Sequence, residues 1–299
     1  MEFLYFLEGI RTPIGNEFFQ FVTYFGQEML LVAVICIFYW CLDKSFAYQL
    51  ALTYFSAGLC VQALKITFRI PRPWILDPEF APVKSAVPAA TGYSFPSGHT
   101  QGGTCLFAPL ALRAKKPVLK LLFTAAFLLI GFSRMYLGVH TPKDVLVSMG
   151  VSLFFSVLIW KYKDQILEHP RKVCTLSLIL GVISILVILY TIIQLFVFSL
   201  PEKYASDCLK AGGAGLGFAV GFFLEKTYIR FSPETPRWTL QIPKLLLGLF
   251  SALLLKNGLS LLAGLGMIFK SAEYFLLVLW IIAGYPFLFQ AFLKRKERR

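Results

Sequence analysis

Apolar stretches of about 20 residues recur along the chain between short polar breaks, the length a helix needs to cross a bilayer core of ~30 Å. They fall near 22–42, 46–67, 98–113, 117–137, 142–161, 173–198, 208–228, 244–265 and 272–293. The pattern predicts nine membrane helices and an all-α, polytopic integral membrane protein. The third run is the weakest, because it is short and opens with polar residues. Before the first run, MEFLYFLEGIRTPIGNEFFQ alternates aromatics with Glu and Arg. It is too polar to cross, and predicts an amphipathic helix lying at the outer interface over 1–21. Its three glutamates (Glu2, Glu8, Glu17), single basic residue (Arg11) and missing small-residue cleavage site do not fit a secretory signal peptide, so it is expected to be retained. The longest polar insert, RIPRPWILDPEFAPVKSAVPAATGYSFPSGH, is too rich in proline to be helical throughout.

Composition and charge sharpen this picture. The chain is 57% hydrophobic and only 15% charged over 299 residues, which excludes an ordinary soluble domain. If the N-terminus is outside, most of the 29 basic residues fall on the inner side: Lys44, Arg113 to Lys120, Lys161 to Lys172, Lys226 to Lys244, and the tail KRKERR. The positive-inside bias then puts the N-terminus and the proline-rich insert outside and the C-terminus in the cytoplasm. The expected location is a bacterial cell membrane. The net charge of +13 is accordingly a topology and lipid-surface signal that calls for no nucleic-acid partner. The six cysteines (36, 41, 60, 105, 174, 208) lie mostly in apolar runs without CxxC spacing and read as small hydrophobes, with no disulfide and no metal assigned.

Three polar clusters resist the pattern. Lys65 stands at the outer end of the second run and Arg72-Pro73 follows, giving K-x6-R-P. Pro96-Ser97-Gly98-His99 opens the third run. Ser133-Arg134, His140 and Asp144 form S-R-x5-H-x3-D across the loop between the fourth and fifth. All fall on one side of the membrane under a topology fixed without them. The set suits an anion. A helix starting after Pro96-Ser97 aims its first free N–H groups, at Gly98 and His99, at a bound phosphate. Lys65, Arg72 and Arg134 add charge, the arginines with a bidentate fork. Thr141 as N-cap and Pro142 at the first helical position leave Asp144 one turn from His140, able to hold one imidazole nitrogen and free the other as nucleophile or base. With His99 as a second histidine, the pair divides into nucleophile and general acid.

These three motifs resemble the signatures of the type 2 phosphatidic acid phosphatase (PAP2) family, membrane relatives of vanadium haloperoxidases, over roughly residues 60 to 145. The resemblance implies a six-helix core over 22–170 and roles for the residues: His140 attacks phosphorus, Asp144 orients it, and His99 protonates the leaving oxygen. Lys65, Arg72, Ser97, Gly98 and Arg134 would hold phosphate oxygens, without metal or other cofactor. Three further spans over 171–299, with the basic tail, set the chain beside the larger members resembling sphingosine-phosphate and glucose-6-phosphate phosphatases.

The expected activity is hydrolysis of a lipid phosphate or diphosphate at the extracytoplasmic face, with Trp74, Phe80, Tyr93 and Phe95 of the insert suited to the interface as a gate for the lipid. A phosphotransferase, a sugar-phosphate phosphatase and a catalytically silent lipid-binding or translocating protein are the alternatives; the last should lack one of His99, His140 or Asp144. His169, in EHPRK, matches nothing and reads as a solvated loop residue. Gly213, Gly217 and Gly221 recur at four-residue spacing without a G-x-G-x-x-G, which reads as close helix packing. Lys256, inside the eighth run, reads either as part of a substrate cavity or as a snorkelling residue paired with a partner such as Glu273.

Overall fold

The computed structural model describes residues 1–234, 238–261 and 266–297, whose regular elements are all helices with no strand among them. Arg237 and the last two residues of the tail, used above for orientation, lie outside the described residues, as do the final residues of the eighth run. The helices are α1 (Glu2–Gly9), α2 (Pro13–Tyr24), α3 (Glu28–Ile37), α4 (Lys44–Phe68), α5 (Pro73–Leu76), α6 (Gly98–Arg113), α7 (Pro117–Tyr136), α8 (Pro142–Glu168), α9 (Pro170–Phe196), α10 (Glu202–Leu224), α11 (Gln241–Ser260), α12 (Phe269–Leu279) and α13 (Tyr285–Glu297). Proline opens α2, α5, α7, α8 and α9, where its missing N–H costs nothing and its fixed φ suits a helix start.

Among the described residues seven helices are long and apolar enough to cross a membrane, and an eighth crossing is made if α2 and Glu28–Leu42 count as one span bent by 42°. One expectation changes. The first span is not a single helix from 22: the chain turns at Thr12, runs helical to Tyr24, breaks and resumes at Glu28, so the polar N-terminal stretch divides between α1 and the start of α2. The third expected run is a helix over the same residues, α6, whose 16 residues put it outside the seven.

The chain divides into two compact units. The first comprises residues 1–32, 52–161 and 203–205. Here α6 packs tightly on α7: a Cβ on Gly103 would press into Ile130, 2.8 Å away. Ala108, Phe127, Val145 and Met149 close the core beside them. Leu4 and Leu7 of α1 pack on Phe80 of the insert, so Phe80 is buried within the protein and is not an interfacial anchor. Phe95 is buried too, edge-on to Phe68. Both rings anchor the insert on neighbouring helices, Phe80 on α1 and Phe95 on the end of α4, because a loop with so few backbone ladder bonds needs apolar burial to hold its shape.

The second unit comprises 33–51, 162–202 and 206–299. Its α10 meets α12 at Gly213 and Gly217, where an added Cβ would strike the carbonyls of Ser271 and Phe275, so the glycine spacing is indeed a packing face. Two π turns, Phe38–Leu42 and Trp280–Gly284, meet through side chains: the Tyr39 hydroxyl donates to the Ile282 carbonyl at 2.6 Å and the Trp40 indole N–H to Ile281 at 3.2 Å. The carbonyls loosened by the wider turn find partners this way.

Candidate active site

The site residues all belong to the first unit. Lys65 lies in the last turn of α4. The chain then reverses through Arg69, which has φ +49°, and presents Arg72. Ser97 caps α6, its hydroxyl accepting from the Thr100 N–H at 3.3 Å, so the N–H groups of Gly98 and His99 lie ahead of the first helical bonds. No atom lies within 4 Å of where a Cβ on Gly98 would stand, leaving the approach to this helix end open. At the start of α8, Thr141 and Asp144 form a reciprocal cap: the Thr141 N–H donates to Asp144 Oδ2 at 2.8 Å and the Asp144 N–H to Thr141 Oγ1 at 3.4 Å. The Ser97 N–H donates to the Asp144 carbonyl at 3.1 Å, tying the two helix starts together.

His140 sits between these ends, 1% exposed. Its Nδ1 faces Asp144 Oδ2 at 3.4 Å and its Nε2 lies 2.9 Å from Nη1 of Arg72. A guanidinium only donates, so Nε2 must carry the lone pair and Nδ1 the proton. Burial, followed by the charges of Arg72, Arg134 and Lys65 and by His99, holds the His140 pKa well below its ordinary value of 6.5. The imidazole is therefore neutral at neutral pH, with a lone pair aimed among cations.

The cations are themselves held by backbone carbonyls. Lys65 Nζ donates to Tyr93 at 3.2 Å; Arg72 donates through Nε to Gly92 at 2.8 Å and through Nη1 to Val139 at 3.0 Å. Arg134 differs. It is fully buried, and Nη1 donates to the Thr23 hydroxyl at 2.7 Å, while Nε and Nη2 have no hydrogen-bond partner. His99 Nε2 is also buried without one. A buried polar nitrogen left unpaired costs about 1–3 kcal/mol, more for a charged group, so these nitrogens mark a place suited to an anion.

Residues 46–167 match the family described as PAP2 superfamily, and residues 209–297 the family described as PAP2 superfamily phosphatase, transmembrane extension. The chain belongs to the PAP2 superfamily. It is 29% identical over 182 residues to phosphatidylglycerophosphatase B of Bacillus subtilis, covering 54% of this chain and 82% of that protein. It is 33% identical over 109 residues to an undecaprenyl-diphosphatase of the same organism, covering 36% of this chain and 53% of that one. To mouse sphingosine-1-phosphate phosphatase 1 it is 26% identical over 272 residues, covering 87% of this chain and 57% of the relative. The chain thus spans little more than half the length of the latter two.

In this PAP2 chain the fold brings together Lys65, Arg72, Ser97, Gly98, His99, Arg134, His140 and Asp144. Lys256 lies on α11 in the second unit, half-buried, and Glu273 accepts from Lys270 at 3.1 Å. Three contributors escaped the sequence reading. Ser94 donates to Asp144 Oδ2 at 2.5 Å, Ser148 donates to the Ser97 carbonyl at 2.6 Å, and Thr23 accepts from Arg134. Only the serine spacing at 148, 152 and 156 on α8 carried a sign, since three polar residues one turn apart in an apolar helix mark an inward face.

Proposed function

We propose that the chain is a phosphatase for lipid phosphates or diphosphates that works through a covalent phosphohistidine at the extracytoplasmic membrane face. The observation that carries this reading is the set of unpartnered, buried donors on Arg134 and His99 beside a neutral His140. A phosphate dianion supplies the acceptors those donors lack, and the open N-terminus of α6 adds backbone N–H groups at Gly98 and His99. On binding, Arg72 transfers its Nη1 hydrogen bond from His140 Nε2 to a phosphate oxygen and releases the lone pair. Nε2 attacks phosphorus, the P–O bond to the lipid breaks, and His99, which enters the step as an imidazolium carrying the proton brought in with the bound phosphate, gives that proton to the departing oxygen. Asp144 holds Nδ1–H and balances the imidazolium charge as the N–P bond forms. Water then attacks the phosphohistidine, His99 takes its proton, and the N–P bond breaks to release inorganic phosphate. Lys65, Arg72 and Arg134 supply the positive charge at the transition state, so no metal is required.

Lipid substrate is supported by the membrane helices and by the relatives, whose names specify phosphatidylglycerophosphate, undecaprenyl diphosphate and sphingosine 1-phosphate. The test is phosphate release by purified protein across these lipids and a sugar phosphate, with and without EDTA. Turnover of a lipid that survives EDTA is expected; activity on the sugar phosphate alone, or activity restored only by Mg²⁺, contradicts the reading. Sidedness is checked in whole cells expressing the protein with its native cysteines replaced. Ser85 and Lys116 are both exposed. A cysteine replacing Ser85 should react with an impermeant thiol reagent on intact cells, and one replacing Lys116 only after permeabilisation.

A further inference from the structure

We infer that Thr23 is a positioning residue for Arg134, contributed by the broken first span from outside the residues 46–167 that match the PAP2 core; this rests on the phosphatase reading above. Arg134 ends α7 fully buried, and its hydrogen bond to Thr23 at 2.7 Å joins residues 111 apart in the chain. A guanidinium is a planar fork with two usable edges. With Nη1 anchored on Thr23, the edge formed by Nε and Nη2 is the one without partners, and that edge binds two oxygens of one phosphate side by side. Thr23 therefore sets which edge of Arg134 faces the anion and in which plane.

The break fixes Thr23 in turn. The Gly26 N–H donates to the Thr23 carbonyl at 3.0 Å, closing α2. A Cβ on Gly26 would stand 2.5 Å from the His99 carbonyl, and one on Gly102 would stand 2.5 Å from the Gly26 carbonyl. The two backbones approach this closely because both positions are glycine. One bend thus seats the first turn of α6, which carries His99, and presents the hydroxyl that orients Arg134.

The experiment compares Thr23→Val, Thr23→Ala and Thr23→Ser with Arg134→Met in detergent, reading kcat, KM, the inhibition constant of orthovanadate and the melting temperature. Both hydroxyl-less variants should lose about ten- to a hundredfold in kcat/KM, weaken orthovanadate inhibition by a similar factor and melt within a few degrees of the parent. Thr23→Ser should recover to within about threefold, because it keeps the acceptor. Unchanged orthovanadate inhibition in Thr23→Val and Thr23→Ala, or a Thr23→Ser variant as impaired as they are, overturns the inference. If Arg134→Met is inactive while the Thr23 variants are normal, only the role of Thr23 fails. If Arg134→Met is itself active, the phosphate-site reading fails first. Should the valine not fold, the serine and alanine pair decides alone.

Discussion

Arg134 and Glu225 are both fully buried charges, one in each unit, and their surroundings are opposite. Glu225 is saturated: Lys44 Nζ at 2.8 Å and the Phe231 N–H at 2.7 Å donate to one oxygen, and the Tyr48 hydroxyl donates to the other. Among the described residues Arg134 has a single hydrogen-bond partner, and two of its nitrogens have none. A buried charge with all its bonds made holds a fold together; one with bonds left open is maintained for something that comes and goes. Membrane burial alone does not distinguish the two, but the hydrogen-bond census does.

The comparison breaks if the two charges respond alike to removal. Arg134→Met should cost at least about a hundredfold in turnover, as loss of one transition-state donor does, while the substrate-free protein melts no lower than the parent. Glu225→Ala should do the reverse. It strands Lys44 and the Tyr48 hydroxyl, costs about 3–5 kcal/mol of stability, and leaves kcat of the surviving folded protein within about threefold. Parallel losses of stability in both variants would remove the distinction.

A smaller effect sharpens it around His140. Asp144→Asn removes the charge that holds Nδ1–H and should lower kcat about a hundredfold with little change in KM, whereas Ser94→Ala, which deletes one of several bonds to the same carboxylate, should cost about tenfold or less. Steady-state kinetics on the two variants checks the order; a larger loss from Ser94→Ala would mean that the serine and not Asp144 governs the imidazole.

The smallest expected effect is on pH dependence. In the proposed mechanism His140 reacts as the neutral imidazole, and burial with the charge of Arg72 depresses its pKa, so protonation would remove the nucleophile only below the ordinary histidine range. The acid limb of kcat/KM, corrected for the ionisation of the substrate, should fall below pH 6.5; a limb at or above 6.5 contradicts the assigned environment. The same shift has a stability sign. The unfolded chain binds the proton first as pH drops through 6.5, so the contribution of neutral His140 to stability is present above that value and is lost towards lower pH.

The three clusters were legible in the sequence because each is local: K-x6-R-P, P-S-G-H and S-R-x5-H-x3-D place their residues at helix ends whatever the rest of the chain does. Gly213 and Gly217 were legible for the same reason, as a four-residue period within one helix. Thr23, Ser94 and Gly26 were not. A threonine in an apolar run has no local mark, and its meaning comes from a partner 111 residues away. Ser94 likewise gains its role from Asp144, 50 residues on. The aromatic side chains of the insert misled for a related reason: Phe80 suits an interface as well as a core, and only α1 folding over it decides for the core.

In the proposed mechanism Nε2 of His140 receives the phosphoryl group. The direct measurement is a rapid acid-free quench of purified protein with a lipid substrate labelled in its phosphate, carried out in EDTA, followed by peptide mapping. Label that is stable to base, labile to acid and located on His140, and that is absent from His140→Ala together with at least a thousandfold of the turnover, is the expected result. Label on any other residue, or full turnover by His140→Ala, would contradict the covalent mechanism.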